Sequence, residues 1–356
     1  MKIAIDISQI IYGTGVSTYT KRLVEGLLKI DKKNNYLLFG SSLRRSGEIK
    51  HFLKNKSVES KVFNFPSFAM DILGNKFHYP KIESLIGKID IYHSSDWTQF
   101  ASNAAKVTTI HDLAPLLYPE YTSKKVVEVH TRRLGWVKHE VDKIIVPTKS
   151  IKEDLIRLGY HDKKIFVVYE GVESSFKVSD TEDVKRVKKR YGINGKFYLA
   201  IGVGLRKNTK RIVEAFKKVK GDGEVLVIVG HKYEKTSHEE SIIFTGHVPD
   251  LDLPPLYTGA EVLLYPSLYE GFGLPILEAF ACCCPVVTSA VGSMKEVSGD
   301  AACLVDPMDV SSISHGIKKV IKNRSQMTKR GKLRLKDFSW QKAAEQTLSI
   351  YEETSG

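Results

Sequence analysis

The chain has 356 residues, too many for one ordinary core and enough for two domains of ~150–180 residues each. Apolar residues make up 42% and charged residues 27%, a soluble globular balance, and no apolar run approaches the ~20 residues that a membrane span needs. The net charge of +13 is compatible with a solvated basic surface, an anionic lipid, a nucleotide diphosphate or a nucleic acid, although no zinc finger, RNA-recognition motif or glycine–arginine repeat speaks for the last.

In chain order, "MKIAIDIS" predicts a first strand and lacks the long apolar core of a signal peptide, so a cytoplasmic protein is expected. Further strands are predicted at Tyr36–Phe39, Lys61–Phe65, Ile89–Ser94, Val107–His111, Lys143–Pro147 and Ile165–Tyr169. Helical periods fall at Val16–Ile30, Lys124–Glu140 and Lys149–Leu158. The second of these carries Val126, Val127, Leu134, Trp136 and Val137 among its cations. Membrane-surface helices share that pattern with domain helices that have one core face.

The alternation then restarts. Strands are predicted at Phe197–Gly202, Val225–Gly230, Ile242–Thr245, Val262–Tyr265, Val286–Thr288 and Ala302–Val305. Helices are predicted near Thr209–Lys220, Leu253–Ala260 and Pro275–Ala281, then within Val310–Arg330 and at Trp340–Glu352. Strand–helix alternation of this kind builds parallel sheets. The expected fold class is α/β, with two doubly wound Rossmann-like domains facing an interdomain cleft. The cysteines, at 282, 283, 284 and 303, have neither a disulfide framework nor paired metal spacing, and are expected to be reduced, buried hydrophobes.

Four stretches could carry chemistry. Gly13 and Gly15 follow the first strand and open a helix, which suits close approach of a phosphate or sugar as well as a plain turn. Thr18 interrupts any full dinucleotide fingerprint. His111, ending a strand beside Asp112, could contact a sugar hydroxyl or could cap its own loop. Arg206 and Lys207 follow Gly202 and Gly204 at a strand-to-helix turn, an arrangement suited to a diphosphate or, more simply, to a basic loop.

The fourth stretch is "LYEGFGLPILEAFACCCPVV". Pro275 is placed to open a helix, with Glu278 in its first turn, and Gly271 and Gly273 leave turn amides free for ligand oxygens. A carboxylate accepts well from a vicinal diol. Glu270 on a hexose and Glu278 on a ribose, with phosphates at the turn and at Arg206 and Lys207, would grip one nucleotide sugar. Two exposed surface acids, or the acid and nucleophile pair of a glycoside hydrolase, are the competing accounts. A non-catalytic polyanion binder would rest on net charge alone.

These residues also carry a likeness. "PSLYEGFGLPILEAFACCCPVV" resembles the E-x7-E donor site of the family-4 retaining glycosyltransferases, which have the GT-B fold. "GTGVSTYTKRLVEGL", "TIHDLAPLLYPE", "VPTKSIKEDL", "GVGLRKNTKRIVEAF" and "SMKEVSGDAACLVDP" resemble the corresponding family stretches in the same order. "FSWQKAAEQTLSIYEE" resembles the closing helix. The likeness implies an acceptor-binding domain over 1–170, a donor-binding domain over 171–337, and a helix over 338–356 that crosses back.

It further implies that Glu270 contacts the donor hexose, that Gly271, Phe272, Gly273 and the adjoining Leu274 line sugar and phosphate, and that Glu278 holds the ribose. Arg206 and Lys207 would neutralise the leaving diphosphate. His111 would lie near the transferred sugar, and the Gly13–Gly15 loop would close on phosphates and acceptor. A nucleotide sugar would serve as co-substrate, without a cofactor, protein nucleophile or obligatory metal. The Arg-Lys-Asn turn resembles the bacterial mannosyltransferase branch, which implies GDP-mannose. A glycan or polyprenyl-linked glycan acceptor, with peripheral contact to anionic membrane and no nucleic acid, completes the expectation. Three departures stand out: Val203 where many relatives have arginine, Cys283 where glycine is usual, and Lys295 where proline is common.

Overall fold

The computed structural model describes residues 1–231 and 239–355. Gly356, the last residue of the expected closing segment, lies outside the described residues, as do residues 232–238 of the second domain. The chain divides between Glu170 and Gly171: one unit holds Met1–Glu170 and the segment from Trp340 onward, and the other holds Gly171–Ser339.

The first unit is built on a seven-stranded parallel sheet. Its strands are β1 (Lys2–Asp6), β2 (Asn35–Ser41), β3 (Glu59–Phe63), β4 (Ile91–Ser94), β5 (Ala105–Thr109), β6 (Lys143–Val146) and β7 (Ile165–Val167). Helices cover both faces of such a sheet, so its central strands read as continuous apolar runs rather than alternating ones. Ile3, Ala4, Leu37, Leu38 and Phe39 are accordingly buried. The strand order is β3-β2-β1-β4-β5-β6-β7. The chain winds outward from β1 and then returns to lay β4 against its other side, so that Ile3 pairs with both Tyr36 and Ile91. Connections diverge at such a reversal and leave a crevice beyond the carboxyl ends of the strands.

The helix Trp340–Ser355 packs on this same unit, adding Ala343, Ala344, Ile350 and Tyr351 to a core that includes Ile5, Leu23 and Leu27. The two helices approach tightly at Gly26 in the helix Gly15–Ile30, where a β-carbon would stand 2.8 Å from that of Ala344. A glycine mid-helix costs about 1 kcal/mol in propensity, and here it is what lets the two helices touch.

The second unit repeats the plan. Its strands are β8 (Phe197–Ile201), β9 (Val225–Val229), β10 (Ile242–Phe244), β11 (Leu263–Tyr265), β12 (Val286–Ser289) and β13 (Cys303–Val305). Among the described residues they run in the order β10-β9-β8-β11-β12-β13. Leu199 of β8 is flanked by Val227 on one side and Leu263 on the other, which places the reversal between β8 and β11. Tyr198, Ala200, Phe216, Leu226, Leu264 and Ile317 form the core beneath.

Every strand expected from the sequence is present. The helix Lys124–Glu140 turns out to have a core face made by Val129, His130, Arg133, Leu134 and Val137, as a domain helix does. The predicted Val310–Arg330 region resolves into the helices Val310–Lys322 and Arg324–Arg334. No helix among the described residues is long and apolar enough to cross a membrane.

Candidate functional site

In the second unit, the loops after β8 and β11 leave from the two strands at the reversal and so meet despite a separation of over sixty residues. Asn208, in the left-handed region with φ +61°, donates its amide to the carbonyls of Pro266 (3.0 Å) and Pro307 (2.6 Å). Leu268 N donates to the Arg206 carbonyl at 2.9 Å. Gly202 has φ +87°, and a β-carbon there would lie 2.9 Å from Lys207 Cε. The glycine therefore supplies the backbone turn and the room over which the lysine stem folds.

Glu270 lies between the two cations of that loop. Arg206 Nη1 donates to Oε2 at 2.7 Å and to the Tyr269 carbonyl at 3.0 Å. Lys207 Nζ donates to Oε1 at 2.7 Å and to the Tyr265 hydroxyl at 2.9 Å. Burial pushes the Glu270 carboxyl up, but the charges of Lys207 and Arg206 outweigh it and hold the group below the usual carboxylate range. It is thus a permanent acceptor near neutral pH and cannot serve as a general acid.

The turn Gly271–Gly273 leads into the helix Leu274–Ala281, with Gly273 at the N-cap and φ +103°. Leu274 is the first helical residue and Pro275 the second, so Glu278 is the fifth and sits one residue further in than the sequence suggested. Its Oε2 accepts from the Tyr257 hydroxyl at 2.7 Å. Burial, reinforced by the nearby carboxylates of Glu173 and Asp250, pushes Glu278 up to about 7, against the hydrogen bond from Tyr257. The two acids of the motif therefore differ in charge at neutral pH. The Phe272 ring is buried and meets Phe338 edge-on, with centroids 5.8 Å apart.

Two of the sequence departures now have a physical setting. The Val203 side chain packs on Gly230 and the hydrophobic core, so Arg206 and Lys207 are the cations this loop brings to Glu270. Cys283 has φ +56° just past the helix end; its N–H donates to the Phe280 carbonyl (3.2 Å), and Cys284 N–H donates to the Ala279 carbonyl (2.8 Å). This is a Schellman cap, whose left-handed position favours glycine. Lys295 lies within the helix Gly292–Ser298, and nothing in the structure explains its choice over proline.

In the first unit, a short 3-10 turn, Ser8–Ile11, separates β1 from the Gly13–Gly15 loop. Gly13 takes φ +66°, and Gly15 is the first residue of a helix whose start is closed by a capping box between Thr14 and Ser17. The loop after His111 is capped by Asp112 Oδ1, which accepts from Ala114 N at 3.0 Å, and His111 Nδ1 lies 3.7 Å from Glu170 Oε1. The Tyr19 ring meets the imidazole edge-on with centroids 4.5 Å apart, and Nε2 is buried without a hydrogen-bond partner.

Glu170 is the functional candidate that the sequence reading missed; its position just past β7, at a strand carboxyl end, was the available signal. A buried polar chain continues from Tyr19 to Thr109 Oγ1 (3.1 Å), to His93 Nε2 (3.0 Å), and from His93 Nδ1 to the Tyr351 hydroxyl (2.6 Å). Burial, with His111 and Arg133 nearby, lowers His93 to about 3, so its ring is neutral.

The Glycosyltransferase Family 4 model matches residues 13–176 and the Glycosyl transferases group 1 model matches residues 183–334. The chain is 32% identical over 281 residues to O-antigen chain mannosyltransferase B of Escherichia coli, a match spanning 73% of this chain and 74% of that one. It is a GT-B glycosyltransferase of the mannosyltransferase-like branch. This glycosyltransferase is also 26% identical over 238 residues to the serotype-specific mannosyltransferase WbdA of Escherichia coli, covering 60% of this chain but 29% of that longer protein. Among solved structures, Anabaena HepE in complex with UDP and glucose superposes with a TM-score of 0.73 at 15% identity, over 99% of this chain and 100% of that one, a likeness of fold.

Proposed function

We propose that this glycosyltransferase moves mannose from GDP-mannose, with retention of anomeric configuration, to a hydroxyl of a glycan carried on a polyprenyl lipid in polysaccharide assembly. The observation that carries the reading is the pair of cations held on one buried carboxylate at a strand reversal. Glu270 accepts hydrogen bonds from hexose hydroxyls. Arg206 and Lys207 lie beside it, where the charge of a departing diphosphate develops. The amides of Gly271–Leu274 and the helix start behind them add donors for phosphate oxygens. The mannosyltransferase relatives favour mannose over other hexoses.

In the reaction the bond from the anomeric carbon to the phosphate oxygen breaks, and the acceptor oxygen bonds to that carbon on the same face. The acceptor proton passes to the leaving phosphate, with no protein nucleophile and no obligatory metal. Glu278 holds the ribose diol, and His111 offers Nε2 to a sugar hydroxyl. The enzyme works at the inner face of the membrane, where such an acceptor is presented.

Thermal-shift binding across GDP, UDP and their common hexose conjugates tests the donor, followed by transfer assays with and without EDTA. GDP-mannose should stabilise best, and EDTA should leave the rate within about twofold. Arg206→Ala and Lys207→Ala should each lower kcat by roughly 10²-fold or more. Stabilisation by UDP-glucose alone, as the HepE complex would suggest, overturns the donor assignment.

A further inference from the structure

The His111 imidazole is buried, yet little that is polar fixes its plane. Nδ1 stands 3.7 Å from Glu170 Oε1, longer than a good hydrogen bond, and Nε2 has no hydrogen-bond partner. The Tyr19 ring meets the imidazole edge-on at 80°, with centroids 4.5 Å apart. Tyr19 also meets Trp340, the first residue of the closing helix, edge-on at 6.0 Å. Where the Tyr19 ring sits therefore governs how the imidazole is turned.

Tyr19 lies on the helix Gly15–Ile30, and its buried hydroxyl needs a partner. Thr109 Oγ1, at the end of β5, supplies one at 3.1 Å. The same oxygen lies 3.0 Å from His93 Nε2 on β4, and His93 Nδ1 lies 2.6 Å from the Tyr351 hydroxyl on the closing helix. With His93 neutral, these four side chains hold one mobile proton each and share three links. Thr109 must then donate in one link and accept in the other, whichever way the chain is polarised. Serine keeps both capacities; valine keeps the shape and neither. Burial raises both phenols and lowers His93, so no member of the chain changes charge near neutral pH. What the chain can do is geometric rather than acid–base.

We infer that Tyr19 is a positioning residue for His111, and that Thr109, His93 and Tyr351 hold Tyr19 in register. The closing helix Trp340–Ser355 thereby sets the plane of the imidazole that meets the sugar. The inference rests on the sugar contact proposed above for His111 and names what orients it. A chain that merely filled the core would act on stability, independently of His111.

A double-mutant cycle on the full chain separates the two, read as release of GDP from GDP-mannose into water. Thr109→Val should lower kcat about tenfold with the GDP thermal shift unchanged, and Thr109→Ser should recover to within about twofold of wild type. In a His111→Gln background, Thr109→Val should cost less than about twofold, because the group it orients is gone. Where Thr109→Val does not fold, Tyr351→Phe runs the same cycle. Histidine-labelled protein supplies a second reading by NMR, with the His111 ring signal identified by its loss in His111→Gln. That signal should move in Tyr351→Phe, three links from Tyr19, and in Thr109→Val, and return in Thr109→Ser. Equal costs in both backgrounds overturn the inference. So does a His111 signal unmoved in Tyr351→Phe, or a variant that melts earlier with kcat intact. Wild type that releases no GDP counts against the proposed reaction, and the NMR signal then decides the positioning on its own.

Discussion

Glu278 differs from Glu270 in what neutral pH does to it. Its carboxyl is raised to about 7 in the folded chain, from an ordinary value of 4.5. Protonation of this group therefore stabilises the fold fully below about 4.5, and that contribution is lost as the pH rises through about 7. A ribose diol donates two hydrogen bonds, so it wants the ionised acceptor. Nucleotide binding should then strengthen about tenfold from about pH 6 to about pH 8, and Glu278→Gln should flatten that dependence. Calorimetric titration at several pH values reads both, and a pH-independent affinity in wild type removes the ribose role. Glu170 acts through its neighbour instead. Burial pushes its carboxyl up against the opposing effect of His111, and Nδ1 of that histidine is its partner at 3.7 Å. Glu170→Ala should leave nucleotide affinity intact and lower kcat by roughly ten- to a hundredfold through a misplaced imidazole, with Glu170→Gln recovering part of the loss. Equal losses in nucleotide affinity would point to a merely structural role.

At the level of elements, the end of the helix Leu274–Ala281 stores a removable strain. Cys283 occupies the left-handed cap position at φ +56°, which costs a side-chain-bearing residue about 1–2 kcal/mol. Cys283→Gly should stabilise the second unit by about 1 kcal/mol, part of the relief being offset by glycine's greater freedom in the unfolded chain. Urea unfolding measures it, and a destabilised variant would show that the thiol contributes packing instead. The opposite change applies at Gly26: Gly26→Leu must displace Ala344 from 2.8 Å and should cost about 2 kcal/mol or more. Elements of this kind are what the sequence announces well. Apolar runs such as "FYLAI" and "VLVIV" read as buried parallel strands because both faces are covered. The cation–carboxylate cluster was legible as three residues but not as a contact. Its assembly depends on which strands become neighbours at the reversal, and local periodicity carries no such information. Glu170 was missed for the same reason, since its partner His111 follows β5, two strands away in the sheet.

On the scale of the whole molecule, each unit has its own sheet and its own core, so a ligand that binds one of them should leave a local signature. Ligand at about a hundred times its dissociation constant stabilises the state it binds by ~2.7 kcal/mol, whatever the fold around it. Hydrogen exchange resolves where that stabilisation falls, because amides that exchange only through unfolding of the liganded unit slow by the full factor. With saturating GDP, protection should rise around 202–208 and 265–281 and across β8 and β11, and β1 and β4 should exchange at their unliganded rates. The assignment of nucleotide to Gly171–Ser339 stands on that asymmetry. Slowing that is equal in β1 and β8 would mean that the nucleotide stabilises the chain as one cooperative body. Slowing confined to β1 and β4 would place it at the Gly13–Gly15 loop, and the roles given to Arg206, Lys207 and Glu270 would then fail together.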